Sequence, residues 1–534
     1  MKYKFLIPKS LCISLAIILT LFIGCKKNPL DGVILTLNTD ISPVVYSIQV
    51  FDANPDNTIT ESENFSVKIT GKDAASIFTL DGTKNFKFTK GFLSIMVKPG
   101  VTPSASKPLQ FSVVVRYRNY LKTTIPVFLT KPQKGMVKVP IINTVNPPKG
   151  VTVTNTVVST NTSGALDNDI KIQTPISAEK KETAEINIPK NTQFFDASGK
   201  PITGNITVQL VHFDNRNSQS LASFPGGFTA NNVTDAANSS LGNGLFQTAG
   251  FVALEMGTDN QEVESFSQPV QVKIGVNSEL KDPSSNQPVQ AGNKIPSWSF
   301  NSETAEWKQI GDASVSFDAT TNTYSADFFT SRRSWYNFDY FFRSCTIETQ
   351  VQLNYTGEEN YCKYFIEFEN SRFDYYSYTQ PTFTDLYDGK IITLPWGLPA
   401  NESIRIRFVN PYTDEEIGVT PYFSSCYGLY TYDVNYQTNN TEFEFSIYGK
   451  CPVNDRIFRP SGWIYYQAQG SNEWNILGFM SNGRISTRAL EAGKTYSVGT
   501  SNAGQFYSTE ITMEADVESA EVEWVLPEDY SGCK

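Results

Sequence analysis

The feature of this sequence that most constrains its fold is a succession of short, strand-like runs from about residue 33 to the end of the chain. The runs alternate apolar and polar residues or are briefly apolar throughout, as in Phe65–Ile69 and Phe111–Tyr117, and turn formers such as Asp81 and Gly82 separate them. A period of two is typical of half-buried β-strands, and beyond the leader no stretch of roughly 11 residues shows a helical period. The sequence therefore predicts an all-β protein built from several β-sandwich domains in series.

Composition agrees with packed sheets and argues against one class of partner. Aromatic residues make up 13% of the chain, and aromatic side chains pack well on pleated, half-buried surfaces. The formal net charge is -10, and basic groupings such as Lys180-Lys181 and Arg332-Arg333 are too short to form a patch. Because phosphate contacts need clustered Lys and Arg, we predict no nucleic-acid partner.

The N-terminus has the layout of an export signal. Lys2, Lys4 and Lys9 give it a positive start, and an apolar core of 13 residues runs from Leu11 to Ile23. A helix that spans a bilayer needs about 20 apolar residues, whereas this length suits the core of a signal peptide.

The residues after that core carry a resemblance to a known class of proteins. They end with a small residue before a cysteine: Leu21, Phe22, Ile23, Gly24 and Cys25. This segment resembles the lipobox of bacterial lipoproteins, although Phe22 departs from the usual aliphatic residue. The resemblance implies a signal peptide over 1–24, diacylglyceryl and acyl (palmitate-type) modification of Cys25, and a lipidated tether over 25–32.

The lipoprotein resemblance also implies a location. Lys26 and Lys27 follow the cysteine, where an Asp would retain a Gram-negative lipoprotein in the inner membrane. We therefore expect the outer membrane, with the chain anchored by lipid on its surface or periplasmic side. The charge of the mature chain would be about -13, because Lys2, Lys4 and Lys9 leave with the signal peptide.

The first third of the chain predicts one domain and a linker. Strand-like runs recur over residues 33–142 at the intervals of a sandwich, for which we predict an immunoglobulin-like fold. Residues 143–166 are rich in Asn, Pro, Thr, Val and Ser and contain no aromatic residue. Their composition predicts a linker, while the Val/Thr alternation leaves open that part of it pairs as a strand.

Residues 167–342 form the next predicted domain and contain an ordered set of motifs. The motifs are Glu185–Thr192, Asp196–Gly204, Asn205–Phe213, Phe224–Phe228, Gly250–Met256, Ile295–Phe300, Trp307 and Ser334–Asp339. Together they resemble the extracellular β-domain of the cartilage intermediate layer protein family and its bacterial relatives. The resemblance implies a structural module and supplies no catalytic residues.

The last third of the chain contains a duplicated pattern. An aromatic strand, an Asp/Asn-Gly turn at Asp388-Gly389 or Asn482-Gly483, and two further strands recur in the same order. Such pairs supply the positive φ of a hairpin turn. The pattern resembles transthyretin-like, carboxypeptidase-regulatory-like modules, which we place at residues 343–438 and 439–525, with a tail over 526–534.

Apart from Cys25, the cysteines that follow the predicted signal peptide all lie in this last third. An exported protein meets oxidising conditions, so we predict disulfides among Cys345, Cys362, Cys426 and Cys451, with Cys533 also present and the pairing open. No CxxC spacing occurs and the chain has a single histidine, so we expect no zinc site.

One segment has oxygen ligands at the spacing of a calcium loop. Asp52, Asn54, Asp56 and Glu63 occupy positions 1, 3, 5 and 12 of such a loop, and carboxylate and amide oxygens suit Ca²⁺. Asn57 replaces the usual glycine, however, and the flanking residues have strand patterns. A polar hairpin loop without a metal is the favoured interpretation.

Aromatic clusters are the other candidates for binding. Trp335 and Tyr336 open a dense aromatic run, and Tyr375 and Tyr376 lie in another. Exposed aromatic side chains suit contacts with a sugar ring or a protein, whereas buried ones would fill the sandwich cores. Core packing is the favoured interpretation.

No constellation of residues indicates catalysis. His212 lies in a predicted strand and no GxSxG elbow accompanies it, while Glu358-Glu359 and Glu415-Glu416 are acidic pairs in predicted turns. We expect no enzyme activity and no cofactor. The sequence favours a lipid-anchored extracytoplasmic protein with a binding, adhesive or structural role toward an unknown protein or glycan. A periplasmic scaffold or accessory subunit of an outer-membrane complex is the alternative, and a glycan-active enzyme is the third.

Overall fold

The computed structural model describes most of the chain after the leader. The described residues are 36–38, 42–59, 64–176, 182–227, 229–345, 347, 349–356, 362–370, 376–377, 384–394, 400, 402–410, 415–435, 442–452, 456–502, 504–514 and 519–525. The regular secondary structure within them consists of strands, apart from one five-residue α-helix and one 3-10 turn. This confirms the prediction of an all-β chain with several β-sandwiches. No helix in the described part of the chain is both long and apolar enough to span a membrane.

The first domain is a sandwich of two sheets. Its strands are β2 (Val45–Asp52), β3 (Ser66–Thr70), β4 (Ile77–Thr79), β5 (Phe92–Val97), β6 (Leu109–Arg116), β7 (Thr123–Leu129) and β8 (Lys134–Ile141), and a short strand, β1 (Thr36–Asn38), precedes them in the chain. One sheet has the order β4-β5-β2-β8 and the other β3-β6-β7, and side chains such as Ile48 and Val113 fill the space between them. β1 belongs elsewhere, since it pairs in parallel with residues 457–459 of the last module.

The middle domain contains the largest sheets. Its elements are β9 (Val151–Ser159), β10 (Ile170–Gln173), β11 (Ala184–Ile188), β12 (Phe194–Phe195), β13 (Asn205–Phe213), α1 (Ser218–Ala222), β14 (Thr229–Thr234), β15 (Ser240–Gly257), β16 (Ser265–Val276), β17 (Lys294–Asn301), β18 (Glu306–Ser314), β19 (Ser316–Asp318), β20 (Thr323–Arg332) and β21 (Trp335–Arg343). A seven-stranded sheet, β14-β18-β17-β21-β15-β13-β9, faces a six-stranded sheet, β10-β11-β16-β20-β19 with β12 beside β16.

Part of the segment 143–166, predicted as a linker, pairs as a strand, which is the alternative that its Val/Thr alternation left open. Residues 151–159 form β9, which pairs with β13 at all nine positions, from Val151 opposite Phe213 to Ser159 opposite Asn205. The Val/Thr alternation thus outweighs the linker-like composition, because β-branched residues are favoured in strands. The middle domain therefore begins at β9.

The third module follows directly after β21. Its strands are β22 (Gln350–Tyr355), β23 (Cys362–Asn370), β24 (Tyr376–Ser377), β25 (Thr384–Leu386), β26 (Ile391–Thr393), β27 (Ser403–Val409), β28 (Glu416–Val419), β29 (Phe423–Ser424) and β30 (Leu429–Val434). They form one sheet β26-β22-β30 and another built around β23 and β27. A disulfide joins Cys345 to Cys426 across a sequence separation of 81.

The last module contains β31 (Phe443–Lys450), β32 (Ile457–Arg459), β33 (Gly462–Ala468), β34 (Asn475–Met480), β35 (Arg484–Thr487), β36 (Thr495–Asn502), β37 (Gln505–Thr512) and β38 (Ser519–Val525). Its sheets are β1-β32-β31-β35, with β38 beside β31, and β34-β33-β36-β37. The predicted turn at Asn482-Gly483 has positive φ at both residues, 50° and 76°, as a type I′ turn requires.

The three small sandwiches share one pairing pattern in one of their two sheets. In each, the first strand pairs in parallel with the last and antiparallel with a middle strand: β2 with β8 and β5, β22 with β30 and β26, and β31 with β38 and β35. The duplicated sequence pattern of the last third thus corresponds to a repeated strand order, and the first domain has the same order.

Candidate functional site

Two sandwiches share a buried interface between their sheets. The sheet β4-β5-β2-β8 of the first domain and the sheet β34-β33-β36-β37 of the last module turn their outer faces toward each other. Every residue of β5 is buried, because its second face meets the last module. The apolar cluster at this interface contains Val45, Phe92, Met96, Met136, Trp463, Tyr465 and Ile476. We call it the first–last interface.

Tyr465 lies at the centre of the first–last interface. Its ring stacks on Phe92 with centroids 3.9 Å apart, and its hydroxyl is 2.9 Å from the Ser47 hydroxyl and 3.1 Å from that of Ser94. Burial raises the pKa of Tyr465 to about 12, although the bonds to Ser47 and Ser94 act in the opposite direction. The contact therefore combines a large buried ring with a satisfied polar group, which fixes one relative orientation of the two sheets.

Further polar contacts lie at the edges of this interface. Gln49 Nε2 donates to the carbonyl of Trp474 at 3.3 Å, and the hydroxyls of Thr89 and Ser501 are 2.5 Å apart. The Lys134 ammonium lies 4.8 Å from the centroid of the Phe479 ring. The last module is thus joined to the first domain by apolar, aromatic and hydrogen-bonded contacts together.

The opposite side of the first domain contacts the middle domain through ionic groups. Glu303, in the turn between β17 and β18, forms ion pairs with two lysines of the first domain. Its carboxylate oxygens lie 2.9 Å from Lys68 Nζ and 3.2 Å from Lys122 Nζ. Thr124 Oγ1 donates to the carbonyl of Ser302 at 2.8 Å. Burial would raise the pKa of the Glu303 carboxyl, but the two lysines hold it below its usual value.

A second ionic group extends this contact. Arg116 of β6 pairs with Glu262, and the almost buried side chain of Arg333 pairs with Glu262 and, at 2.7 Å, with Glu255. Both arginines therefore meet on one carboxylate between the two domains. We call this set, with the Glu303 group, the first–middle interface.

The predicted binding aromatics Trp335 and Tyr336 are both buried. They are 5% and 1% exposed and point to opposite faces of β21, as successive residues of a strand do. The ring centroids of Trp335 and Phe213 are 5.1 Å apart. Tyr336 instead faces the six-stranded sheet, with its ring centroid 4.9 Å from that of Phe328. Core packing is thus what the structure shows for this pair. Tyr375 and the side chain of Tyr376 lie outside the described residues.

The outer face of the seven-stranded sheet is covered, which explains why Trp335 is buried. The segment after β13 contains α1, whose N-cap Asn217 accepts from the amide of Gln219 at 3.0 Å, and Phe224 just beyond it. The Phe224 ring stacks on Trp307 with ring centroids 5.3 Å apart, and its centroid lies 5.0 Å from that of Phe251. Ala53, Leu121 and Ile142 of the first domain belong to the same apolar cluster.

A carboxyl group lies buried beneath this cover. Asp339 and Asn337 are both fully buried on β21, the Asn337 amide donates to the Asp339 carboxyl, and Trp298 Nε1 donates to the Asp339 carbonyl at 2.9 Å. Burial raises the pKa of the Asp339 carboxyl well above its usual value, and hydrogen bonding by Thr248 offsets only part of this effect. This buried group could not be predicted from the sequence, because nothing in an alternating strand shows that both of its faces are covered.

The candidate calcium ligands are engaged in contacts within the protein. The Asp52 carboxyl accepts from the Tyr120 hydroxyl at 2.7 Å and from the Asn54 amide at 2.9 Å. Asn54 Oδ1 accepts from the Asp56 amide at 3.1 Å, and Glu63 lies outside the described residues. Among the described residues, no three His, Cys, Asp or Glu side chains are grouped so as to hold a metal ion. The segment is a polar loop after β2.

Among the remaining candidates, His212 and Glu416 belong to different sandwiches, the middle domain and the third module. His212 is 1% exposed on β13, opposite Thr152 and Val252. Glu416 lies 3.5 Å from Arg407 on the neighbouring strand, and Glu358 and Glu359 lie outside the described residues. Within the described part of the chain, His212 and Glu416 therefore do not form one site.

The structure describes the side chains of three of the four predicted disulfide candidates. Cys345 bonds to Cys426 with Cα atoms 5.5 Å apart, and Cys451 is also disulfide-bonded. The side chain of Cys362 lies outside the described residues, as do Cys533 and the proposed lipidation site Cys25. The bond between Cys345 and Cys426 joins the start of the third module, just after β21, to the connection between β29 and β30.

Comparison with known proteins gives no family for this chain. No family model matches it, and no curated protein does. Among solved structures it is similar to a streptococcal ancillary pilin, at 13% identity over 45% of this chain and 94% of that one, with a TM-score of 0.13.

Two further pilins give the same result. The shaft pilin SpaA of Lactobacillus rhamnosus GG is 11% identical over 34% of this chain and 100% of its own, with a TM-score of 0.16. BcpA, the major pilin subunit of Bacillus cereus, is 8% identical over 90% of this chain and 98% of its own, with a TM-score of 0.13. TM-scores this low carry no information about function.

Replacing Tyr465 tests the first–last interface. We expect Tyr465→Ala to lower the free energy of unfolding by about 3–5 kcal/mol, because it opens a cavity the size of an aromatic ring. Tyr465→Phe should cost about 1–3 kcal/mol, since it leaves the hydroxyls of Ser47 and Ser94 without this partner. Urea denaturation measures both. The control is Tyr448→Ala on β31, where the hydroxyl bonds to exposed Glu523, and a loss there as large as that of Tyr465→Ala would contradict the assignment.

Replacing Asp339 tests the buried carboxyl. The pKa of the Asp339 carboxyl is raised in the folded protein above the usual 3.8. The folded state is therefore least affected below pH 3.8, and it loses stability as the pH rises from there toward the raised pKa. Asp339→Asn removes the titration. The free energy of unfolding of the variant, relative to that of the wild type, should therefore rise by up to about 1.4 kcal/mol per pH unit in that window. Urea denaturation at pH 4 and pH 7 measures the gain.

The control for this prediction is Asp318→Asn. Backbone hydrogen bonds from Thr320 and Thr321 lower the pKa of that exposed carboxyl below its usual 3.8. Its contribution to stability is therefore lost only at lower pH, and the gap between Asp318→Asn and wild type should change little between pH 4 and pH 7. A gap between Asp339→Asn and wild type that stays constant from pH 4 to pH 7 would refute the raised pKa.

Proposed function

We propose that this chain is a lipid-anchored extracytoplasmic protein with a non-enzymatic binding, adhesive or structural role. The observation that carries the proposal is the position of the first domain, which packs on the last module by one sheet and on the middle domain by the other. Contacts of this kind hold modules in fixed relative positions, because a large, aromatic and hydrogen-bonded interface resists domain motion. Such a body suits the presentation of a binding face.

The path of the chain after the proposed anchor supports this arrangement. β1 begins at Thr36 and pairs with Ile457–Arg459 of the last module. The segment from Cys25 to Thr36 is at most about 40 Å long when fully extended. A lipid on Cys25 would therefore hold the last module near the membrane, with the first domain next to it and the middle domain beyond.

The environment of the acidic candidates supports a non-enzymatic role. A glycosidase needs two carboxyl groups that flank one bond, whereas Glu416 is half exposed beside Arg407. His212 is enclosed in the sandwich between β9 and β15. A screen of glycoside substrates with the purified protein should show no hydrolysis.

Replacing the proposed lipidation site tests the anchor. We expect radiolabelled palmitate to appear on the wild-type protein and to be absent from Cys25→Ala, and we expect the variant to leave the membrane fraction, since stable anchoring needs two or more acyl chains. Cys533→Ala, in the proposed tail, is the matched control and should keep the label. An unlabelled wild type, or a Cys25→Ala variant that stays equally membrane-bound, would disprove the anchor.

Protease treatment of intact cells distinguishes the two proposed roles. Cleavage of the wild-type protein by added protease supports surface display with a binding or adhesive role. Protection on intact cells, with cleavage after the outer membrane is permeabilised, supports the alternative of a periplasmic scaffold or accessory subunit.

A further inference from the structure

The outer face of the six-stranded sheet carries an ordered set of polar side chains. Successive strands β10, β11, β16 and β20 place two rows of residues across this face. Their pairing registers give the first row, Lys171, Asn187, Gln271 and Phe329, and the second row, Gln173, Glu185, Lys273 and Asp327. We call this surface the two-row face.

Hydrogen bonds hold the side chains of the two-row face in place. Asn187 Nδ2 donates to Glu185 Oε1 at 2.8 Å and to Gln271 Oε1 at 3.2 Å. Gln271 Nε2 continues the chain of bonds to Asp327 Oδ2 at 2.8 Å. These amide and carboxylate groups are half-buried and already oriented, so a ligand that bonds to them would lose little of its affinity to ordering the side chains.

The charges of the two-row face are balanced. Lys171 lies 2.8 Å from Glu185, while Lys273 lies directly opposite Asp327 in the register. Burial would raise the pKa of the Glu185 carboxyl, but Lys171, Asn187 and Lys273 hold it below its usual value. Two cations and two anions leave no net charge to attract an ionic ligand.

One large apolar side chain projects from this polar surface. Phe329 is 65% exposed and lies opposite Gln271 in the register. An aromatic ring left in water is available to stack on the apolar face of a ligand. A single exposed ring among fixed polar groups differs from the apolar centre of a protein–protein interface.

We propose that the two-row face binds a neutral polysaccharide, with Phe329 stacked on the C–H face of one sugar ring and the amide and carboxylate groups bonded to its hydroxyls. Sugars combine apolar ring faces with hydroxyl donors and acceptors, which is the combination that this surface matches. The inference rests on the proposed binding role outside the cytoplasm, and it names the class of ligand and the residues that contact it.

The test is binding of the full chain, purified in detergent, to an array of polysaccharides. The probes are neutral glucans, mannans and galactans, with heparin as the anionic comparison. We expect at least one neutral polysaccharide to bind and heparin not to bind. Phe329→Ala should weaken the neutral binding about tenfold, which corresponds to about 1.4 kcal/mol, and Gln271→Ala should weaken it as well.

The matched control is Phe317→Ala on the adjacent strand β19. Phe317 is also exposed, at 44%, but lies outside the two rows, so this variant should bind as the wild type does. The proposal is overturned if no neutral polysaccharide binds, if only heparin binds, or if Phe329→Ala and Phe317→Ala bind equally well. Because palmitate labelling of Cys25 is measured separately, a failed array and a failed anchor give different results.

Discussion

The packing of Tyr465 on Phe92 is the contact on which the arrangement of this protein depends. A sheet of the first domain has an inner face that forms its own core and an outer face that would otherwise expose Phe92, Met96 and Met136 to water. The last module covers that outer face with Trp463 and Tyr465. Because the Tyr465 hydroxyl also bonds to Ser47 and Ser94, the two sheets have one favoured orientation.

This contact brings the end of the chain back to its beginning. Sandwiches that follow one another in sequence are here folded back, with the first domain between the last module and the middle domain. The two interfaces differ in chemistry: one is centred on aromatic rings, and the other combines Lys, Arg and Glu pairs around Glu303 and Glu262 with apolar contacts of the first domain.

The sequence predicts the local structure well because strands are set by short-range patterns. The run Phe92–Val97 is apolar at nearly every position, which fits a strand buried on both faces. What covers its second face lies 373 residues further on, at Tyr465, as the contact between these two rings shows. Pairing between such distant segments depends on shape and register, and neither is written in a local pattern.

The candidate sites follow the same rule. Residues of the two-row face alternate with core residues along β10, β11, β16 and β20, so each strand shows which of its side chains point outward. Only the strand pairing places Gln271 between Asn187 and Phe329. Likewise, nothing local distinguishes the buried Asp339 from an exposed strand carboxyl, because its burial depends on distant segments that cover the sheet.

The most direct test of the folded-back arrangement is a disulfide engineered across the first–last interface. The hydroxyls of Thr89 and Ser501 are 2.5 Å apart although 412 positions separate them in the chain. In the double variant Thr89→Cys, Ser501→Cys, mild oxidation should join the peptides that contain residues 89 and 501 within one chain, as mass spectrometry after proteolysis detects. A double variant that forms no such link, while Cys345 and Cys426 pair normally, would contradict the packing of the last module on the first domain.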